Sequence, residues 1–92
     1  MLQTVSIIVE GLVQGVYYRQ TTKAKAIALG IKGEIKNKPD GSVHIIATAT
    51  EDRLNQLIEW CNKGPDMAIV TNVKVEKMTL KNFPDFSIVR NG

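Results

Sequence analysis

With 92 residues, 43% of them hydrophobic and 23% charged, the chain suffices for a two-layer core and leaves no room for a second domain, so residues 1–92 are expected to form a single unit. Its formal charge of +3 comes from lysines scattered without any block of five like charges, which suits a small anionic ligand and disfavours nucleic acid. One cysteine excludes an intrachain disulfide and a CxxC metal or redox pair, and no apolar run resembles a secretory leader or reaches membrane-spanning length, so a cytoplasmic monomer is expected.

The first element is a strand in which Val5, Ile7 and Val9 form a fully apolar face and Ser6, Ile8 and Glu10 a partly polar one, the pattern of a central strand. A helix follows from near Tyr18, with Ala24, Ile27 and Ala28 as its packing stripe and Gly30 as its stop. Ile31 to Lys38 reads as a second strand. Lys38-Pro39-Asp40-Gly41 supplies a turn with Pro at its first central position and Gly where φ > 0 is needed, and Val43 to Thr50 returns as the other arm of a hairpin. Thr50 is placed to cap a second helix, whose Leu54, Leu57, Ile58 and Cys61 fall at i, i+3, i+4 and i+7. Gly64-Pro65 ends it. A strand around Val73 and Val75 and a last one from about Phe86 to Arg90 complete the chain, with no internal repeat.

This order predicts an α+β, ferredoxin-like split βαβ sandwich: β-α-β-β-α-β with an extra C-terminal strand, an antiparallel sheet and two helices on one face. A helical crossover makes the first two strands parallel, and in the split arrangement the third lies between them, so both C-terminal ends open on one sheet edge. At that edge the run Gly11-Leu12-Val13-Gln14-Gly15-Val16-Tyr17-Tyr18-Arg19 must turn from strand to helix. Gly11 and Gly15 permit φ > 0 and close approach to the main chain, and the helix start aims unpaired N–H groups into the same concavity. Arg19 adds a planar five-donor cation at its rim. The pattern fits a phosphate site. On these glycines alone a tight connection beside a solvated arginine is the stronger reading. Asn37, at the end of the second strand, lies two strand spacings away, roughly 10 Å. It is either a site residue or an ordinary turn asparagine.

Gly11 to Arg19 resembles the signature of the acylphosphatase family, and Leu29-Gly30-Ile31-Lys32-Gly33, Ile35-Lys36-Asn37 and Asp40-Gly41-Ser42-Val43 resemble its second one. Trp60, Gly64-Pro65, Ala68, Val70, Phe83, Phe86 and Ile88 follow in the family's order, so the resemblance covers nearly the whole chain. It implies the same fold, and an enzyme that hydrolyses acyl phosphates without a cofactor. It also implies Arg19 and Asn37 as catalytic residues and the backbone of Gln14, Gly15, Val16, Tyr17, Tyr18 and Arg19 as the phosphate-binding loop. Glu34 stands where the family usually has an aromatic residue and Leu12 where it is often polar. Ala49-Thr50 lacks a glycine common before the second helix.

The chemistry of the residue set agrees. No nucleophile, general base or metal cluster is recognisable: His44 lies mid-strand on a partly exposed face, and Cys61 lies on the core stripe. Such a set suffices only for a leaving group that needs no proton, and a carboxylate, with a pKa of about 4, meets that condition. Gln14 and the helix-start hydroxyl of Thr22 could serve the loop's structure alone. Tyr17 and Tyr18 are expected to brace it, and Trp60 to pack at the edge of the core. The alternative is a non-catalytic phosphate-, anion- or nucleic-acid-binding module on the same fold. An RNA-binding version would need aromatic stacking residues on the central strands, and Val43 to Thr48 has none. A domain acting inside a larger carbamoyl-phosphate-using assembly is the other alternative, and the absence of a linker favours a free-standing enzyme.

Overall fold

The computed structural model describes residues 1–90. Seven elements follow one another: β1 (Leu2–Leu12), α1 (Tyr18–Ala28), β2 (Lys32–Asn37), β3 (Val43–Thr50), α2 (Glu51–Lys63), β4 (Ile69–Met78) and β5 (Phe86–Ile88). The strands form one sheet in the order β4-β1-β3-β2-β5. β1 is central, with Val5, Ile7 and Val9 buried against the helices and Ile7 opposite Ile45 of β3. α2 covers β1, β3 and β4, whereas α1 covers β2 and β5, so both helices lie on one face. On α2 the predicted stripe packs as expected: Leu54, Leu57 and Cys61 are buried and Ile58 is partly so.

The sheet is antiparallel from β4 to β2, but the β2–β5 pair is parallel. The path of the chain explains the mixed sheet. β4 leaves the sheet beside Thr4, near the start of β1, and residues 79–85 cross the free face to begin β5 beside Gly33, near the start of β2. A strand entering at that end must run with β2. The crossing is fastened by a closed ring of hydrogen bonds: Lys81 N–H donates to Thr4 Oγ1 (2.9 Å), Thr4 Oγ1 meets Thr48 Oγ1 (2.7 Å), and Thr48 Oγ1 donates to Lys81 O (2.6 Å). Because Thr48 spends its one proton on the carbonyl, the Thr4 hydroxyl must be the donor between the two threonines.

Helix α1 corrects the expected packing stripe. Its buried positions are Tyr18, Thr22 and Ala26, while Ala24 and Ala28 are exposed and Ile27 is 58% exposed. The rotation is set by Tyr18, whose ring lies 5.5 Å from that of Trp60, tilted by 50°, and whose hydroxyl donates to Cys61 O at 2.7 Å. A cluster of small apolar residues was the stronger signal in the sequence, but burying the large aromatic residue gains more. The stop at Gly30 is as expected: Gly30 N–H donates to Ile27 O (3.0 Å) and Ile31 N–H to Ala26 O (2.8 Å), a Schellman ending with Gly30 at φ 70°. Thr50 does occupy the N-cap of α2, but its side chain makes no capping bond; Glu51 and Asp52 supply the negative charge of the first turn instead. β5 ends at Ile88, short of the expected Arg90.

The threonine ring makes a prediction. Thr48→Val keeps the side-chain shape, but removes the 2.6 Å hydrogen bond to the part-buried Lys81 carbonyl and opens the ring. It is expected to destabilise the fold by about 1–3 kcal/mol, read as a lower urea midpoint at unchanged m-value.

Candidate active site

The strand-to-helix connection between Leu12 and Tyr18 alternates inward and outward. Val13 and Val16 are buried in the core, Gly15 and Tyr17 face out, and Tyr18 turns in again with 1% exposure. Its backbone alternates too: φ is 74° at Gly15 and 63° at Tyr17, while Val16 between them is not among the positive-φ residues. Such alternation curls successive N–H groups toward one side. Tyr17 is the N-cap of α1 and the one described non-glycine residue in the left-handed region. That conformation costs on the order of 1–2 kcal/mol in a residue with a Cβ. Burial of the next side chain offsets it, since sinking a large ring contributes roughly 1.5–3 kcal/mol before its hydrogen bond is counted.

No side chain caps α1, and its first turn contains no acidic residue. The positive end of its dipole therefore faces the concavity without a carboxylate of its own, in contrast to α2. Below it lies a cleft of about 320 Å³. Gln14, Gly15, Tyr17, Tyr18, Arg19 and Gln20 line one side, and Asn37, Ile88 and Arg90 the other. Arg19 and Asn37, which come from α1 and the end of β2, thus meet at one cavity, and both are partly buried. Of the expected loop residues, Val16 alone contributes no lining; its side chain is packed in the core.

Gln14 ties the two halves of the cleft together. Its side-chain amide donates to Lys38 O and to Ser42 O, both at 2.8 Å, so the loop is bolted to the β2–β3 turn that follows Asn37. The turn itself is closed by Gly41 N–H to Lys38 O (3.1 Å) and Lys38 N–H to Ser42 O (2.8 Å). Asp40 Oδ1 accepts from the Ser42 hydroxyl (2.6 Å) and the Ser42 N–H (2.9 Å), and these bonds hold its carboxyl below the ordinary range.

Other singled-out residues stand apart. Gly11 is not a loop residue but part of a bulge in β1, where a Cβ would collide with Ile69 O; the close approach is by β4 and not by a ligand. The buried Thr22 hydroxyl donates back to Tyr18 O at 2.7 Å. Tyr18 acts as a core anchor, and burial raises its phenol above the ordinary range. Cys61 is fully buried, and the same cause pushes its thiol up to about 12, unsuited to a nucleophile. His44 shares a 2.8 Å bond with Ser6 Oγ on the free face of the sheet, where burial first, then Lys38 and Lys36, lower its pKa against the opposing pull of Glu34. Leu12 and Glu34 do not line the cleft. Among the described residues no three His, Cys, Asp or Glu side chains gather as metal ligands, and no helix is long and apolar enough to cross a membrane.

Val13, Gln20, Ile88 and Arg90 also line the cleft, and sequence reasoning did not single them out as site residues. Gln20 could have been found from its place in the first turn of α1. Ile88 ends β5 and Arg90 follows it, and the position of that strand beside β2 is set by the crossing of residues 79–85 and has no signature in local pattern.

The acylphosphatase family profile matches residues 5–88. The acylphosphatase of Thermotoga maritima is 44% identical over 95% of this chain and 97% of its own length. That of Methylococcus capsulatus is 36% identical over 98% and 99%. The crystal structure of acylphosphatase from Bacillus subtilis superposes with a TM-score of 0.93 at 35% identity, covering 98% of this chain and 100% of that one. Matched in sequence from β1 to β5 and in fold over nearly its whole length, this chain belongs to the acylphosphatase family, enzymes that hydrolyse the carboxyl-phosphate bond of acyl phosphates.

Proposed function

We propose that the phosphoryl group sits under the start of α1, held by Arg19 and by the N–H groups of residues 14–19, and that Asn37 orients the attacking water. One observation carries this reading: Arg19 and Asn37, on elements separated in sequence and by β3 in the sheet, line the same cleft beneath an uncapped helix N-terminus. The guanidinium and the N–H groups match the three equatorial oxygens of a phosphoryl group in transfer, where charge concentrates in a loose transition state. The Asn37 amide oxygen can accept a hydrogen bond from water and so aim the water's lone pair at phosphorus. The water oxygen joins phosphorus as the bond from phosphorus to the carboxyl oxygen breaks. The departing electron pair stays on the carboxylate, and the water's protons leave with inorganic phosphate. No acid is required at the leaving group, because a carboxylate with a pKa of about 4 is stable as the anion.

The cleft offers room for a small acyl group, and a monomer acting on free acyl phosphates is the proposed working form. A buried, unpaired cysteine fits a reducing cytoplasm. The free face of the central strands carries Ser6, Ile8, His44 and Ile46 and no Phe, Tyr or Trp, which supports a reading without a nucleic-acid partner.

Benzoyl phosphate should be hydrolysed far faster than an alkyl monoester such as glycerol phosphate. Comparable phosphate-release rates on the two would reveal a general acid that this scheme lacks. Turnover is expected to survive dialysis against EDTA. Activity lost on chelation and restored by a divalent ion would overturn the role given to the loop and Arg19 as the source of positive potential.

Arg19 and Asn37 should separate kinetically. Arg19 contacts phosphoryl oxygens in ground and transition states alike, so Arg19→Ala should weaken competitive inhibition by phosphate as well as turnover. Arg19→Lys should not restore them, since a point charge lacks the planar fork. Asn37→Ala should lower kcat by about 10² or more with little change in phosphate inhibition, as expected for a contact made in the transition state. Near wild-type turnover in a folded Asn37→Ala variant would return Asn37 to the role of a turn residue.

A further inference from the structure

The C-terminal strand brings a second guanidinium to the cleft. The register Gly33↔Phe86, Glu34↔Ser87, Ile35↔Ile88, continued by the Val89 N–H bond to Ile35 O at 2.8 Å, sets Arg90 beside Asn37 on adjacent parallel strands. Register partners in a parallel pair share a face. Ile35 and Ile88 both pack toward the core, so two residues on, Asn37 and Arg90 lie on the side of the sheet where α1 begins. Arg90 lines the main cleft with Arg19 and Asn37, and a neighbouring recess is formed by the same three residues and Val89. Among the described residues the one ion pair is Lys74 with Glu10 (3.6 Å), and no described carboxylate pairs with Arg19 or Arg90. Two unpaired guanidinium groups around one small cavity repel each other until an anion enters, and the repulsion is relieved most fully by a doubly charged one.

We propose that Arg90 is a second phosphoryl-binding group that matches the cleft to a dianion. This rests on the phosphoryl site proposed above for Arg19 and the loop. One guanidinium and the partial charge of about +0.5 at the helix start fall short of a phosphoryl group's two negative charges. Arg90 makes up the difference from the opposite wall. It acts on binding of the tetrahedral dianion, leaving the water to Asn37.

The test compares two tetrahedral inhibitors of benzoyl phosphate hydrolysis at fixed ionic strength: sulfate, a dianion, and methanesulfonate, a monoanion of similar shape. Arg90→Gln is expected to raise the sulfate inhibition constant about tenfold, the scale of one charge-assisted hydrogen bond, and to change that of methanesulfonate much less. Arg90→Lys, which keeps the charge, should retain most of the preference for sulfate. Equal shifts for both anions in Arg90→Gln, or none for either, would overturn the proposal, as would loss of the preference in Arg90→Lys. Wild-type enzyme inhibited by neither anion would instead remove the phosphoryl site itself, and this inference with it.

Discussion

The hydrogen bond from the Tyr18 hydroxyl to the Cys61 carbonyl, at 2.7 Å, is the constraint on which the arrangement of the cleft depends. It joins the first residue of α1 to the last turn of α2, where helix carbonyls lack intrahelical partners. The ring above that hydroxyl is wedged between Trp60 and the backbone of Gly64, where a Cβ would come within 2.9 Å of Tyr18 Cε2. With Tyr18 fixed, its neighbours have little choice: Tyr17 must enter the helix left-handed, and Arg19, one residue on, is carried to the rim of the cleft. Side-chain packing thus orders the loop whose N–H groups are proposed above to hold the phosphoryl group. Preorganised donors of this kind need no rearrangement as charge develops, which is where such sites gain most over water.

Sheet topology supplies the second constraint. β1, β2 and β5 all run toward one edge, and the cleft is assembled there from the segment after β1, the end of β2 and the residues after β5. Each piece is tied by bonds distant from the cavity. Gln14 fastens the loop to the β2–β3 turn, and the Thr4, Thr48 and Lys81 ring at the opposite end of the sheet guides the chain into β5. The ring lies at the other end of the sheet from the cavity and fastens the crossing that leads into β5 and on to Arg90.

Much of this was legible in the sequence because local pattern and final environment coincide. The face of Val5, Ile7 and Val9, the stripe of Leu54, Leu57 and Cys61, and the turn at Pro39 to Gly41 each follow from spacing and from the dihedrals their residues accept. Reading failed where a long-range contact outweighed the local one. On α1 the alanines pointed to one face, but the partner that decides the rotation, Trp60 with Gly64, lies on another helix. Gly11 looked like a loop glycine because the neighbour that demands it is Ile69 of β4. Arg90 was invisible as a site residue for the same reason, since strand order and not sequence brings it beside Asn37.

The two helices differ in the electrostatics of their N-termini, which is what the proposed anion site at α1 relies on. α2 follows β3 directly, and Glu51 and Asp52 neutralise its first turn. α1 is preceded by the irregular segment after β1 and has neither acidic residue nor side-chain cap, so the potential that α2 cancels locally is left for a ligand. A net charge of +3 would draw anions only weakly to the whole surface. On the proposed reading, what discriminates is the local surplus, with Arg19 at the helix start, Arg90 across the cavity and no carboxylate partner for either among the described residues. Such a surplus would normally lower stability through repulsion. It is tolerated here because the cavity is partly open to water, which screens the two charges; on the phosphoryl site proposed above, a bound group would displace that water and meet both charges at lower dielectric.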